Sequence, residues 1–115
     1  MSESRFISEE DFKALVIDLA HVHSWRVAHF RPAMTKQGWR TAVQGDGAGF
    51  PDLVLVRGNR LLFAELKSVK GKVSPDQKTW LQGLREACSE VYLWRPSDYD
   101  EIERVLVGRD LVQQT

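Results

Sequence analysis

An α/β domain built on a central mixed sheet is what this sequence predicts, and three observations carry the prediction. Apolar residues recur at helical spacing near both ends and again after residue 74, each time behind a recognisable N-cap signal. Two β-rich apolar runs, Asp52–Arg57 (DLVLVR) and Arg60–Lys67 (RLLFAELK), are separated only by Gly58-Asn59, a pair suited to a tight hairpin turn. Two further short strand-like segments stand among the helical ones, giving the order α-β-β-β-α-β-α.

The elements follow in turn. Ser8 caps a first helix to about His23, with Glu9, Glu10 and Asp11 in its first turn and Phe12, Leu15, Val16, Leu19 and Val22 as its apolar stripe. Trp25–Phe30 is short and alternating, and it stops at Arg31-Pro32, where proline ends a ladder. From Pro32 to Gly49 five glycines and prolines and little periodicity describe a long loop, which in a compact domain usually has a task. The two runs of the hairpin are apolar on both faces, so the hairpin is expected to lie centrally and covered on each side. Ser74-Pro75-Asp76-Gln77 reads as a capping box with proline at the first helical position, opening a helix to about Ala87. Val91–Trp94 is a final strand, and Ser97 caps a last helix carrying Tyr99, Ile102, Val105 and Leu106 and ending before Gly108, after which the tail should fray.

Composition narrows the functional classes. A chain of 115 residues, 43% apolar and 28% charged, supports one core, so a single domain over 1–115 with its core at about 8–107 is expected. Sixteen basic and sixteen acidic residues cancel, so a polyanion would have to be met by a local patch rather than by the field of the whole molecule. The single cysteine, Cys88, forms no internal disulfide and no cysteine zinc site, which suits a reducing compartment. No signal-peptide pattern opens the chain, and no apolar run approaches the ~20 residues of a membrane span. The expectation is a cytoplasmic protein without membrane contact.

The chemistry-bearing constellation comes from register. A two-residue turn at Gly58-Asn59 pairs Arg57 with Arg60, and counting outward pairs Asp52 with Glu65. Directly opposed strand residues have Cβ atoms roughly 4.5–5.5 Å apart, and like charges there are destabilising unless a cation stands between them. Lys67 projects to the same face as Glu65, whereas Leu66 points into the core. A hard divalent ion such as Mg²⁺ takes carboxylate and carbonyl oxygens, so Asp52, Glu65 and the Leu66 carbonyl form a candidate metal site. Attack of a metal-activated water on a phosphodiester would follow, with Lys67 holding the phosphate or handling the water. A lysine beside carboxylates normally stays protonated, which favours an electrostatic role, but general base stays open.

These residues resemble a known family. Gly49-Phe50-Pro51-Asp52, Glu65-Leu66-Lys67 and Ser74-Pro75-Asp76-Gln77 are similar, in order and spacing, to the VRR-NUC branch of the PD-(D/E)XK nuclease superfamily, over Glu9 to about Leu106. The resemblance implies a restriction-endonuclease-like mixed sheet flanked by helices, Mg²⁺ or Mn²⁺ as cofactor, and DNA, often branched, as substrate. It implies metal ligation by Asp52 and Glu65, catalysis by Lys67, and a place near the substrate for Gln77. It also implies an acid from the first helix, for which Glu9 fits best because it lies three residues before Phe12 on the core-facing stripe. The family's free-standing members resemble phage or bacterial proteins that dimerise, which implies a homodimer in a bacterial or phage-infected cell.

Plainer readings stand beside these. Gln77 as third residue of a capping box would only reach back to a backbone N–H, and Glu9 would only favour a helix N-terminus. Arg31, Lys36, Arg40, Lys70 and Lys72 flank the site in sequence and are candidate phosphate contacts, with Trp39 a candidate stacking residue; singly, each is an ordinary surface residue. Gly45–Gly49 lacks the Lys-Ser/Thr of a P-loop and reads as a flexible approach to Asp52. His29, inside a strand, reads as a core residue, and Trp80, Leu81 and Leu84 as helix core. Two rival functions remain: a catalytically silent nucleic-acid-binding module on the same scaffold, and a metal-dependent phosphohydrolase acting on a small nucleotide.

Overall fold

In a computed structural model, residues 7–30, 32–35, 38–41, 45–87 and 90–108 are described. They form α1 (Glu9–Val22), β1 (Arg26–His29), β2 (Pro32–Thr35), β3 (Gly38–Thr41), β4 (Leu53–Arg57), β5 (Arg60–Leu66), α2 (Pro75–Ala87), β6 (Val91–Trp94), a 3₁₀ turn (Pro96–Asp98) and α3 (Tyr99–Val107). A mixed sheet in the order β1-β4-β5-β6 is the centre. β4 runs antiparallel to both β1 and β5, and β5 pairs parallel with β6 through the α2 crossover.

The expected hairpin register is met: Arg57 opposes Arg60, and the pairing continues through Leu53 and Ala64. Gly58 makes the turn with φ of 59°, the positive value that glycine supplies at the first centre of a two-residue hairpin. One face of the sheet is closed by α1 and α3, where Leu53, Leu55, Leu62, Ala64 and Leu66 are wholly buried against Phe12, Val16, Ile102 and Leu106. α2 lies against the other face, where Trp80 meets Phe50 at 4.9 Å and Phe50 meets Phe63 at 6.0 Å, both edge-on.

Several expectations need correction. The supposed loop after Pro32 contains a second hairpin, β2–β3, with Pro32 opposite Thr41 and Thr35 opposite Gly38. It is a separate two-stranded sheet, and the segment's glycines, proline and weak periodicity read as loop in sequence. The central hairpin is not covered on both sides: the cross-strand pair Val56 and Leu61 are each 41% exposed, because α2 covers only part of its face. On α1 the buried positions are Phe12, Lys13, Val16 and Ala20, while Leu15 and Val22 are exposed. Ser97 caps nothing. Pro96 opens a 3₁₀ turn in which Asp98 Oδ2 accepts from Arg95 N at 2.9 Å, and α3 starts only at Tyr99. His29 is exposed on an edge strand rather than in the core. The tail beyond Gly108 and Cys88 lie outside the described residues.

The far end of the hairpin is bolted to α3. The Arg57 and Arg60 guanidinium groups lie 4.6 and 5.0 Å from the Trp25 ring, and both donate to carbonyls at the α3 C-terminus, where Arg57 reaches Leu106 and Gly108 and Arg60 reaches Val105 and Gly108. Carbonyls at a helix C-terminus carry partial negative charge, so two cations suit them. Arg60 also forms a two-point pair with Glu90, at 2.8 and 2.6 Å, which holds the Glu90 carboxyl below its ordinary range.

Candidate active site

Four element ends converge opposite that clamp: the N-termini of α1, β4 and α2 and the C-terminus of β5. Asp52 stands just before β4 and Lys67 just after β5, yet both remain tied into the sheet. The Asp52 carbonyl accepts from Phe30 N at 3.1 Å, and Lys67 N donates to Trp94 O at 3.0 Å. Continuing the Leu53–Ala64 pairing by one residue sets Asp52 across from Glu65, as the turn count requires. Asp52 Oδ2 takes the Leu66 backbone N–H at 2.9 Å, so its side chain replaces the next rung of the ladder. That bond fixes the carboxylate against β5.

Glu65 is 2% exposed, a carboxylate inside the sheet face. Its Oε2 accepts from Gln77 Nε2 at 2.9 Å and lies 3.8 Å from Lys67 Nζ. Its Oε1 is buried with no hydrogen-bond partner. Burial pushes the Glu65 carboxyl up to about 8; the Asp52 charge adds to this and Lys67 opposes it. Two opposed acids this buried resist ionising together unless a cation stands between them.

Gln77 completes the cap expected of it and also touches Glu65. Its Oε1 accepts from Ser74 N at 2.8 Å while its own N–H donates to Ser74 Oγ at 3.2 Å, completing the capping box. The amide nitrogen is thereby aimed at Glu65, so the helix cap positions the Glu65 carboxyl. α2 is itself seated by Gly49, which has φ of 85° and packs so closely that a Cβ there would lie 2.6 Å from the Asp76 backbone carbon. Trp80 Nε1 donates to Asp46 O at 2.9 Å from the same helix. The glycine-rich approach is thus fastened to α2 rather than slack, and only close packing in three dimensions reveals it.

Glu9 reaches the rim of the site, where its Oε1 accepts from Ser68 N at 3.4 Å, and its charge adds to the upward push on Glu65. The turn after Lys67 is stiffened from the other side, because Arg95 Nη1 donates to Ser68 O and Gly71 O at 2.7 Å each. Lys70 and Lys72 point into solvent on that segment. Arg31 and Lys36 lie outside the described residues, and Arg40 is placed by its backbone alone, in β3. One residue of the site was missed in the sequence: Lys13, buried on α1, with Nζ 3.9 Å from Asp52 Oδ1. Its signal was present, since it follows Glu9 by four residues and so shares its helix face.

Among the described residues no three His, Cys, Asp or Glu side chains gather closely enough to cage an ion. The chain offers instead two opposed carboxylates, one with an orphaned buried oxygen, and the Leu66 carbonyl beside them. A hard divalent cation fits that donor set, because such ions commonly take one or two protein carboxylates and complete the shell with water and phosphate.

A mixed sheet flanked by helices, with an Asp and a Glu-x-Lys meeting across its central hairpin, defines the restriction-endonuclease-like class of nuclease domains. Within it, the sequence profile of the VRR-NUC domain matches residues 13–97, well over half of the chain. The protein belongs to the VRR-NUC family of the PD-(D/E)XK nuclease superfamily and is a nuclease-type domain. Lys13 is the first residue of the matched span and Glu9 lies just before it. A search of curated proteins returned no match.

Proposed function

We propose that the protein is a Mg²⁺- or Mn²⁺-dependent endonuclease that hydrolyses DNA phosphodiester bonds, with a preference for junctions and flaps. The observation that carries this reading is the buried, unpartnered Oε1 of Glu65 facing Asp52 across the hairpin. A binding scaffold gains nothing from such a pair, since each buried charge costs stability unless something compensates it.

Asp52, Glu65 and the Leu66 carbonyl would hold the cation, with Glu9 at its edge. When bound, the ion lowers the pKa of a water and neutralises charge on the phosphoryl oxygens. The chain's own residues do the rest. Gln77 and the Leu66 N–H keep the two carboxylates in place. Lys67, as an ammonium beside Glu65, holds the scissile phosphate and orients the water for attack at phosphorus. Lys70, Lys72 and the basic residues Arg31, Lys36 and Arg40 take flanking phosphates, which a net-neutral chain must do locally.

A second copy of the chain is the partner we infer for the uncovered part of the sheet. Val56 and Leu61 form an exposed apolar cross-strand pair on the face that carries the acids, so a homodimer joined there would set two sites near two strands. No described helix is long and apolar enough to cross a membrane, which accords with work on DNA inside a bacterial or phage-infected cell.

The test is cleavage of labelled duplex, single-stranded, flap and four-way-junction DNA with Mg²⁺, Mn²⁺ or EDTA. Metal-dependent cutting that Asp52→Ala and Lys67→Ala both abolish is the expected result. Binding without cutting on every substrate and metal would instead establish the silent module.

A further inference from the structure

Only three charged side chains among the described residues are buried: Lys13, Arg60 and Glu65. Arg60 is accounted for by Glu90 and the α3 carbonyls, and Glu65 by the site. Lys13 sits beside Phe12 and Val16 on the core face of α1, its side chain 9% exposed and its ammonium 3.9 Å from Asp52 Oδ1. An apolar residue would fill this place at less desolvation cost, so the charge itself needs a purpose. Asp52 presents two oxygens. Oδ2 is taken by the Leu66 N–H, and Oδ1, the one turned toward Lys13, is the oxygen left for a cation.

We propose that Lys13 is a positioning residue that acts as the resident counter-cation of Asp52. It holds the carboxylate turned into the site when no metal is bound. By the same charge it weakens a divalent cation's hold on that carboxylate, so that filling the site depends on the negative charge a DNA phosphate brings. This rests on the metal-binding reading above. The arrangement is paired: Lys67 stands 3.8 Å from Glu65 as Lys13 stands 3.9 Å from Asp52, one ammonium per acid, from opposite sides of the hairpin. Lys67 stands just after β5 at the open end of the hairpin, whereas Lys13 is carried on the core face of α1 beside Phe12 and Val16. Removing a positive charge at this range strengthens binding of a second cation at the same ligand.

The experiment measures Mn²⁺ binding by the whole protein without DNA, from the free-ion spin-resonance signal, in wild type, Lys13→Met, Lys13→Arg and Asp52→Asn. Methionine keeps the length and burial of the stem. The expected result is binding about tenfold tighter in Lys13→Met, a shift worth about 1.4 kcal/mol, with Lys13→Arg near wild type and Asp52→Asn without binding. Adding an uncleaved phosphorothioate DNA should tighten binding in wild type far more than in Lys13→Met. Lys13→Gln serves as a second neutral variant if the melting curve of Lys13→Met shows lost folding. Equal or weaker Mn²⁺ binding in a folded neutral variant, with Asp52→Asn still abolishing it, would overturn the role of Lys13 alone. No Mn²⁺ binding by wild type or by any variant, with or without DNA, would overturn the metal site as well.

Discussion

Glu65 shows how much a single residue's environment decides. Its carboxyl is pushed up to about 8 from an ordinary 4.5, chiefly by burial, so the folded protein binds a proton there that the unfolded chain has already lost. The stability tied to Glu65 is therefore fully present below about pH 4.5 and is lost as the pH rises toward 8. In EDTA, this residue should lower the melting temperature of wild type progressively over that window. Glu65→Gln should lack that component of the decline, and comparison of the two melting profiles checks it. Because a cation needs both carboxylates ionised, metal affinity should rise across the same window and level off above pH 8. Arg60 and Glu90 make the opposite case. The guanidinium holds Glu90 ionised at acidities where it would otherwise protonate, so their contribution is lost on acidification rather than on raising the pH. Arg60→Ala, which removes the two-point partner of Glu90 and one of the donors to the α3 carbonyls, should cost about 3 kcal/mol in urea unfolding.

At the scale of elements, the N-terminus of α2 is where structure and chemistry are one device. Gln77 caps the helix and holds Glu65 with the two ends of one amide, whereas Ser74 only caps. Ser74→Ala and Gln77→Ala should each lose about 1 kcal/mol of stability. Only Gln77→Ala should also lower kcat by more than tenfold, because among the described residues Glu65 Oε2 then keeps only Lys67 beside it. Equal kcat in the two variants would separate the cap from the chemistry. Gly49→Ala strikes the same element from outside. The added Cβ would sit 2.6 Å from the Asp76 backbone, so α2 must shift, carrying Gln77 with it. A stability loss of about 1–3 kcal/mol, as for other overpacked sites, should accompany reduced cleavage at temperatures where the variant remains folded.

The whole molecule is organised as a lever with two ends. At the turn end of the central hairpin, Arg57, Arg60 and Trp25 bind it to the C-terminus of α3. At the open end, the same strands present Asp52 and Glu65, so rigidity secured at one end fixes the geometry at the other. The exposed pair Val56 and Leu61 lies between, on the face shared with the acids. Val56→Glu combined with Leu61→Glu should leave the fold intact and convert the inferred dimer to a monomer in sedimentation. A wild-type protein that sediments as a monomer at micromolar concentration would remove the dimer from the reading.

Much of this was legible in one dimension. Ser8, Ser74 with Gln77, and Gly58-Asn59 are local signals, and the chemistry that makes a cap or a turn acts over three or four residues. The register of the hairpin, and with it the opposition of Asp52 and Glu65, follows from that turn by counting, because a strand alternates with a period of two. Tertiary structure alone decided what depends on packing between distant segments. The buried face of α1 includes Lys13 and omits Leu15 and Val22, because the lysine's charge is met by Asp52 from another element. The β2–β3 hairpin, the fastening of Gly49 to α2 and the uncovered Val56–Leu61 pair depend likewise on where neighbours end. The sequence determined which groups face one another across a turn; the folded structure decided their solvation, which raises the Glu65 carboxyl, and packed a lysine beside Asp52.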